Sequence, residues 1–150
     1  MAAAKQGKRT APIISGEDPG DTLADLCQDL DHWPHSWRYD DSDLAFGRHL
    51  VELFTPFLLD LLARRPARKT LLRHRDHLWM LGGEIVRRCR DDPAPQVQSI
   101  EQIVLQVIDD DCGPLIWPRI TEPQQDAFDG TCRKLHKFLR TRAETASHAR

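Results

Sequence analysis

The spacing of apolar residues constrains the fold more than any other feature of the chain. Leucine, isoleucine, valine and phenylalanine recur every three or four positions over residues 43–64, 71–90 and 121–142. A period near 3.6 residues is typical of amphipathic α-helices, whereas strands that pack on one face alternate with a period of two. We find no convincing strand and no internal repeat. The sequence therefore predicts an all-α fold, a compact bundle of about five helices.

Capping residues predict where these helices begin. Ser99 with Gln102, and Thr121 with Gln124, have the spacing of a capping box, in which each side chain bonds the backbone amide of the other. Thr70 is an N-cap residue by type and is the predicted start of the helix over 71–90. A short first helix is predicted before residue 31, from apolar residues at helical spacing: Leu23, Leu26, Cys27 and Leu30.

Proline and glycine predict local irregularities. Pro56 lacks a backbone donor and predicts a kink in the helix over 43–64. Gly82 and Gly83 each weaken a helix by about 1 kcal/mol relative to Ala, so their place in mid-helix predicts close approach of another helix, or a bend. Residues 32–43, HWPHSWRYDDSD, predict a loop that Pro34 interrupts.

Composition divides the chain into three parts. Residues 1–20 lack periodicity and predict a disordered arm, residues 21–142 a single helical domain, and residues 143–150 a frayed tail. No apolar run approaches the roughly 18 residues of a membrane span, and the N-terminal segment lacks the apolar core of a secretory signal. We therefore expect a cytoplasmic protein with no membrane partner.

Patterns typical of catalysis are absent from the sequence. There is no nucleophile elbow, no zinc-protease motif, no P-loop and no dinucleotide-binding glycine pattern. Glu84 is a candidate buried base only in principle, because no His or second acid is tied to it by spacing. The four cysteines are widely spaced and predict buried thiols. We predict no catalytic residue and no cofactor.

A His-rich loop contains side chains that bind metals in other proteins. Cys27, Asp31, His32, His35 and Asp40 are ligands by type, yet no pair spacing typical of zinc repeats elsewhere. We therefore predict no metal site. The favoured interpretation is a loop whose tryptophans pack on the core while its histidines face water.

Positive charge is concentrated at the break between two apolar segments, in LLARRPARKTLLRHRDHLW. The chain has a net charge of −2, yet residues 48–90 contain ten bases and four acids, whereas residues 17–43 contain nine acids and one base. Such segregation bears on partners rather than on fold. The candidate nucleic-acid contacts lie around the break: Arg64, Arg65, Arg68, Lys69, Thr70, Arg73 and Arg75.

Two interpretations of this break remain open. A phosphate would meet backbone amides around Thr70 and Leu71, while Arg68, Lys69 and Arg73 neutralise its charge. Alternatively the bases are ordinary solvated helix ends, since cations near a helix C-terminus are favourable without any ligand. The acidic segment 17–43 adds a complication, because it can screen the bases or mimic a phosphate backbone.

The segment LVELFTPFLLDLLARRPARKTLLRHRDHLWMLGGEIV resembles the core-binding (SAM-like) N-terminal domain of phage-integrase tyrosine recombinases. The matching positions follow that family's pattern of an apolar helix, a short turn and a Thr-initiated basic helix: Phe54, Phe57, Leu58, Leu61, Thr70, His74 and Leu78. The resemblance implies a bundle that grips duplex DNA by its backbone through Lys69, Thr70 and Arg73. It does not imply recombination, because the one tyrosine is Tyr39, in the acidic segment. The segment FDGTCRKLHKFL is also similar to uncharacterised bacterial proteins associated with mobile elements.

Two functional hypotheses follow. The first is a non-catalytic helical protein that binds duplex DNA, as an accessory factor of a mobile element, through a basic helix-turn-helix junction. The second is a protein-interaction module that docks a partner or a second copy of itself. Trp33, Trp37 and Trp117 are its candidate anchors, since interface hot spots favour Trp, but the favoured interpretation is that each of them completes the core.

Overall fold

The chain folds into helices joined by short connections. A computed structural model describes residues 22–91 and 98–148, with side chains as far as Thr145. These residues form six α-helices and one 3-10 turn, with no strand among them, which confirms the all-α prediction. The helices are α1 (Leu23–Leu26), α2 (Trp33–Trp37), α3 (Asp43–Ala63), α4 (Arg68–Asp91), α5 (Ile100–Val107) and α6 (Glu122–His148), with the 3-10 turn Leu30–His32 before α2.

The three long helices α3, α4 and α6 contribute most of the core. Their predicted apolar faces meet, and the side chains along the contact are fully buried. Burying a side chain of this size contributes about 1.5–3 kcal/mol, so this contact is the main source of stability. The central residues are Leu50, Phe54 and Leu58 of α3, Leu78, Leu81 and Ile85 of α4, and Phe128, Leu135 and Leu139 of α6.

Two of the predicted helix starts are confirmed and one is wrong. In the capping boxes, the amide of Gln102 donates to Ser99 Oγ at 3.1 Å, and the amide of Gln124 donates to Thr121 Oγ1 at 3.2 Å. Thr70, by contrast, does not cap α4. The helix already begins at Arg68, and the amide of Thr70 donates to the carbonyl of Ala67 at 2.9 Å.

The tryptophan-containing segment before α3 is a short helix rather than the predicted loop. Pro34 lies in the first turn of α2, where its missing amide hydrogen costs no helical bond. Trp33 and Trp37 are 2% and 5% exposed, which confirms that they pack in the core and removes them as interface anchors. The indole of Trp37 lies directly against Gly82 of α4, as the paired glycines predicted.

The chain ends differ from expectation at the C-terminus. α6 continues to His148, so the predicted end near Arg142 is too early. The predicted disordered arm, residues 1–20, lies outside the described residues. None of the helices in the described ranges combines the length and apolar character that crossing a membrane requires.

Candidate nucleic-acid interface

The basic break is a tight turn between α3 and α4. Residues 64–67 connect the two helices, and Arg65 has a φ of 53°, a left-handed conformation that is uncommon for a residue other than glycine. The amide of Arg64 donates to the carbonyls of Asp60 and Leu61, both at 3.2 Å. The amides of Thr70 and Leu71 both donate to the carbonyl of Ala67. Contrary to the prediction, neither amide is available to a phosphate.

Part of the predicted site is neutralised by the protein itself. Arg64 Nε lies 2.9 Å from Asp60 Oδ2. Arg75 donates from Nη2 to Asp76 Oδ1 at 2.8 Å and from Nη1 to the carbonyl of Leu26 at 3.0 Å. The side chain of Arg75 is therefore directed towards α1, away from the turn.

Arg68 is also directed towards α1. The pKa of Asp25 is lowered, first by hydrogen bonds from Thr22 and also by the charge of Arg68. Arg68 further lines a cleft together with Asp25 and Arg75. Two of the predicted contacts in α4, Arg68 and Arg75, therefore belong to the contact between α1 and α4.

The remaining bases form a separate group on the solvent side. Arg65, Lys69 and Arg73 are exposed, and within residues 22–91 and 98–148 none of them has an ion pair with an acid. Lys69 and Arg73 are four residues apart in α4 and so share one face of the helix. Thr70, beside them, is half-buried.

A buried polar cluster brings a fourth base to this side. Thr131 Oγ1 of α6 lies 2.6 Å from His74 Nδ1 and 2.7 Å from His77 Nδ1. Burial lowers the pKa of His74 to about 4, with further lowering by the charges of Lys134, His77 and Arg73. Lys134 of α6 and Arg73 of α4 thus both act on His74. We call Arg65, Lys69, Arg73 and Lys134 the cationic ridge.

A second group of arginines surrounds the buried carboxylate of Glu84, an arrangement that the sequence did not predict. Glu84 has a side chain only 3% exposed, and three guanidinium groups surround its carboxylate. Arg87 Nη2 and Arg88 Nε lie 2.5 Å and 3.0 Å from Oε2, and Arg119 Nη2 lies 3.1 Å from Oε1. Burial raises the pKa of Glu84, but the hydrogen bonds from these arginines outweigh it and bring the pKa to about 2. Glu84 is thus a structural anion, unsuited to act as a base near neutral pH.

Asp40 and Asp43 of the acidic segment pair with the far end of α4 rather than with the cationic ridge. Arg90 Nη1 lies 3.1 Å from Asp43 Oδ2 and 3.3 Å from Asp40 Oδ2, and its guanidinium lies 4.9 Å from the centre of the Tyr39 ring. The described aspartates of this segment therefore leave Lys69 and Arg73 without an ion pair. At least five of the ten bases over residues 48–90 form ion pairs: Arg64, Arg75, Arg87, Arg88 and Arg90.

The candidate metal loop does not assemble a site. Within the described ranges, no three His, Cys, Asp or Glu side chains converge as metal binding would require. His35 Nδ1 instead lies 2.7 Å from Arg38 Nη1. None of the four cysteines forms a disulfide, and Cys27 and Cys132 are buried as predicted, whereas Cys89 and Cys112 are only half-buried.

The fold and the site define a small all-α protein with an exposed group of unneutralised bases at one helix junction. No protein-family model matches the chain, and no curated protein or solved structure is detectably similar to it. The resemblance to the core-binding domain of integrases therefore stays a hypothesis, and the functional argument depends on the residues themselves.

Proposed function

We propose that this protein is a non-catalytic helical module that binds nucleic acid through the phosphate contacts of its cationic ridge. The observation that carries the proposal is that Arg65, Lys69 and Arg73 are exposed, adjacent and without an acidic partner in the described structure, while neighbouring bases are paired. Phosphate oxygens are the usual partners of such Lys and Arg groups, and their contacts supply most sequence-independent affinity.

The position of these bases argues against simple solvated helix ends. Lys69 lies in the first turn of α4, which contains no acidic residue. Cations at a helix N-terminus oppose the macrodipole by about 0.3–1 kcal/mol, and like charges four residues apart, such as Lys69 and Arg73, also repel. Arg64 and Arg65, at the end of α3, have the favourable location, and Asp60 pairs with Arg64. A bound phosphate would relieve the repulsion between Lys69 and Arg73.

Duplex DNA is the ligand we propose first, with a role as an accessory factor of a mobile element in the cytoplasm. The support is the resemblance of residues 50–86 to the integrase core-binding domain, in which Lys69 and Arg73 match the basic helix. Thr70 is a weaker candidate contact than the sequence suggested, since it is half-buried and its amide is bonded.

Fluorescence anisotropy with a labelled duplex tests the proposal. Affinity should fall steeply between about 50 and 200 mM salt, because bound phosphates release counterions. Lys69→Ala combined with Arg73→Ala should weaken binding across sequences and reduce the salt slope by about two, roughly one per lost contact. The matched control removes two other exposed bases, in Arg48→Ala combined with Arg140→Ala. Absence of binding at low salt, or equal losses in both double variants, would contradict the proposal.

A second candidate function is protein docking through the loop between α5 and α6, which contains Leu115 and Trp117. Gln125 Oε1 accepts hydrogen bonds from the amides of Ile116 and Trp117 at 2.7 Å and 2.9 Å, and its Nε2 donates to the carbonyl of Pro114 at 3.1 Å. The loop is thereby fixed with Leu115 and Trp117 64% and 45% exposed. Rigidly held, exposed apolar side chains are typical of interfaces.

Light scattering at rising protein concentration tests docking to a second copy. A native dimer that becomes monomeric in Leu115→Ser combined with Trp117→Ser would support this function. A native protein that stays monomeric would remove self-association through this loop.

A further inference from the structure

A groove lies between the C-terminal halves of α3 and α6, next to the cationic ridge, with which it shares Lys134. Its volume is about 690 Å³, within the roughly 300–1,000 Å³ typical of small-molecule sites. Phe57 and Leu61 of α3 and Phe138 of α6 form its floor, with the centres of the two phenyl rings 5.5 Å apart. Its base is therefore apolar and aromatic.

Bases surround this apolar floor. Arg64, Lys134, Lys137 and Arg142 line the groove, and Asp60 is the one acidic residue among the lining side chains. Asp60 is already neutralised, because Arg64 Nε lies 2.9 Å from its Oδ2. Lys134 and Lys137 have no ion pair within the described residues. The charge left to attract a ligand is positive.

Arg142 is a basic residue of the groove that contacts its aromatic floor. Its guanidinium lies 5.5 Å from the centre of the Phe138 ring, a cation–π contact. The guanidinium is thus held at the groove, next to the aromatic floor. An anionic group joined to an apolar body would meet the guanidinium and the phenyl ring at the same time.

We propose that the groove between α3 and α6 binds a small amphiphilic anion, an acyl or aryl carboxylate, sulfonate or phosphate. The apolar body lies against Phe57, Leu61 and Phe138, and the anionic head pairs with Lys137 and Arg142. This site is separate from nucleic-acid binding by Lys69 and Arg73.

A small ligand fits the groove better than a protein surface does. Phe57 and Leu61 are only 2% and 6% exposed, so the groove offers a small apolar surface to a ligand. A docked helix would need large exposed anchors, as helix-binding grooves have. The large exposed apolar side chains of the described structure lie elsewhere, at Tyr39, Leu59, Trp79, Leu115 and Trp117.

Anilinonaphthalene sulfonate is a suitable probe, since its fluorescence rises in an apolar site and its uncharged parent, phenylnaphthylamine, is a matched control. We expect saturable binding of the sulfonate, competition by laurate, and much weaker binding of the parent. Lys137→Glu combined with Arg142→Glu should weaken sulfonate binding by about tenfold or more. Thr141→Trp, at an exposed position that lines the groove, should block it sterically without altering the core.

Two controls separate this site from the cationic ridge and from unspecific charge effects. Arg48→Glu combined with Arg140→Glu makes the same change in net charge outside the groove and should leave binding intact. Lys69→Ala combined with Arg73→Ala should also leave it intact, even where that variant loses DNA.

Several outcomes would overturn the proposal. They are equal binding of the uncharged parent, no effect of Thr141→Trp, or binding to vesicles of phosphatidylglycerol and phosphatidylcholine without competition by laurate. Displacement of the probe by an acidic amphipathic peptide but not by laurate would assign the groove to a protein partner instead.

Discussion

Thr131 of α6 and His74 of α4 are joined by a hydrogen bond of 2.6 Å between Oγ1 and Nδ1. His77 Nδ1 lies 2.7 Å from the same oxygen. A hydroxyl has one proton to donate and two lone pairs, so at most one imidazole accepts from Thr131 and at least one donates to it from Nδ1. A ring that accepts through Nδ1 is neutral, and burial lowers the pKa of both His74 and His77, which favours the neutral form of each. The cluster therefore joins α4 to α6 at a buried position where protonation of either imidazole is unfavourable.

Acid should weaken the fold before the carboxylates titrate. Burial lowers the pKa of His74 from 6.5 to about 4, and that of His77 is also lowered, by burial and by Arg73 against the opposing charge of Asp76. The unfolded chain therefore binds more protons than the folded one between these values, and stability is lost as pH falls through this window. Urea denaturation at about pH 7 and pH 5 should show a loss of roughly 2 kcal/mol from His74.

A variant that cannot titrate isolates this contribution. His74→Asn keeps a polar atom near the position of Nδ1 but takes up no proton, so its stability should change less between the same two pH values. An unchanged pH dependence in this variant would show that other groups are responsible.

Replacing Gly82 or Gly83 of α4 with alanine should have very different effects on the free energy of unfolding. A Cβ at Gly82 would overlap the indole of Trp37, whereas a Cβ at Gly83 would lie 3.3 Å from Trp37 Cδ1. Gly82→Ala should destabilise by about 1–3 kcal/mol or more through overpacking. Gly83→Ala should be close to neutral, because a gain of up to about 1 kcal/mol in helix propensity offsets a small adjustment of the ring. Denaturant midpoints of the two variants provide the comparison. Equal losses of stability would show that Trp37 of α2 does not pack against Gly82.

Removing the charge of Glu84 should leave three arginines without a shared anion. Its carboxylate is buried, while the side chains of Arg87, Arg88 and Arg119 are 43%, 44% and 63% exposed, so solvent moderates the cost. We expect Glu84→Gln to lower the free energy of unfolding by about 1–3 kcal/mol. Asp76→Asn removes an exposed partner of Arg75 and should change the free energy of unfolding by less than about 1 kcal/mol. Thermal denaturation of both variants measures the difference, and a neutral Glu84→Gln would show that the arginines are fully solvated.

Signals between close neighbours in the chain predicted much of the fold. The capping boxes at Ser99 and Thr121 join residues three apart, so the sequence contains the whole interaction. Thr70 failed as a cap because the chain reverses earlier, at Arg65, and the carbonyl of Ala67 accepts the first helical bonds. Pro34 was mistaken for a loop residue because proline is equally suited to a first helical turn.

The candidate site was harder to predict because charge pairing is non-local. Arg119 is 35 residues from Glu84, and Arg90 is 47 residues from Asp43, so no spacing rule identifies these pairs. The sequence showed where bases are concentrated but could not separate Arg64, which has a partner, from Arg65 and Lys69, which have none in the described structure. Lys134 was not among the predicted contacts, because only the packing of α6 on α4 brings its charge within reach of His74.

The most direct test of the central claim is amide chemical-shift mapping of the full chain during titration with duplex DNA at low salt. We predict the largest shifts at Arg65, Lys69, Arg73 and Lys134, reversed by added salt. Shifts confined to the loop around Trp117, or no shifts at all, would contradict binding by the cationic ridge.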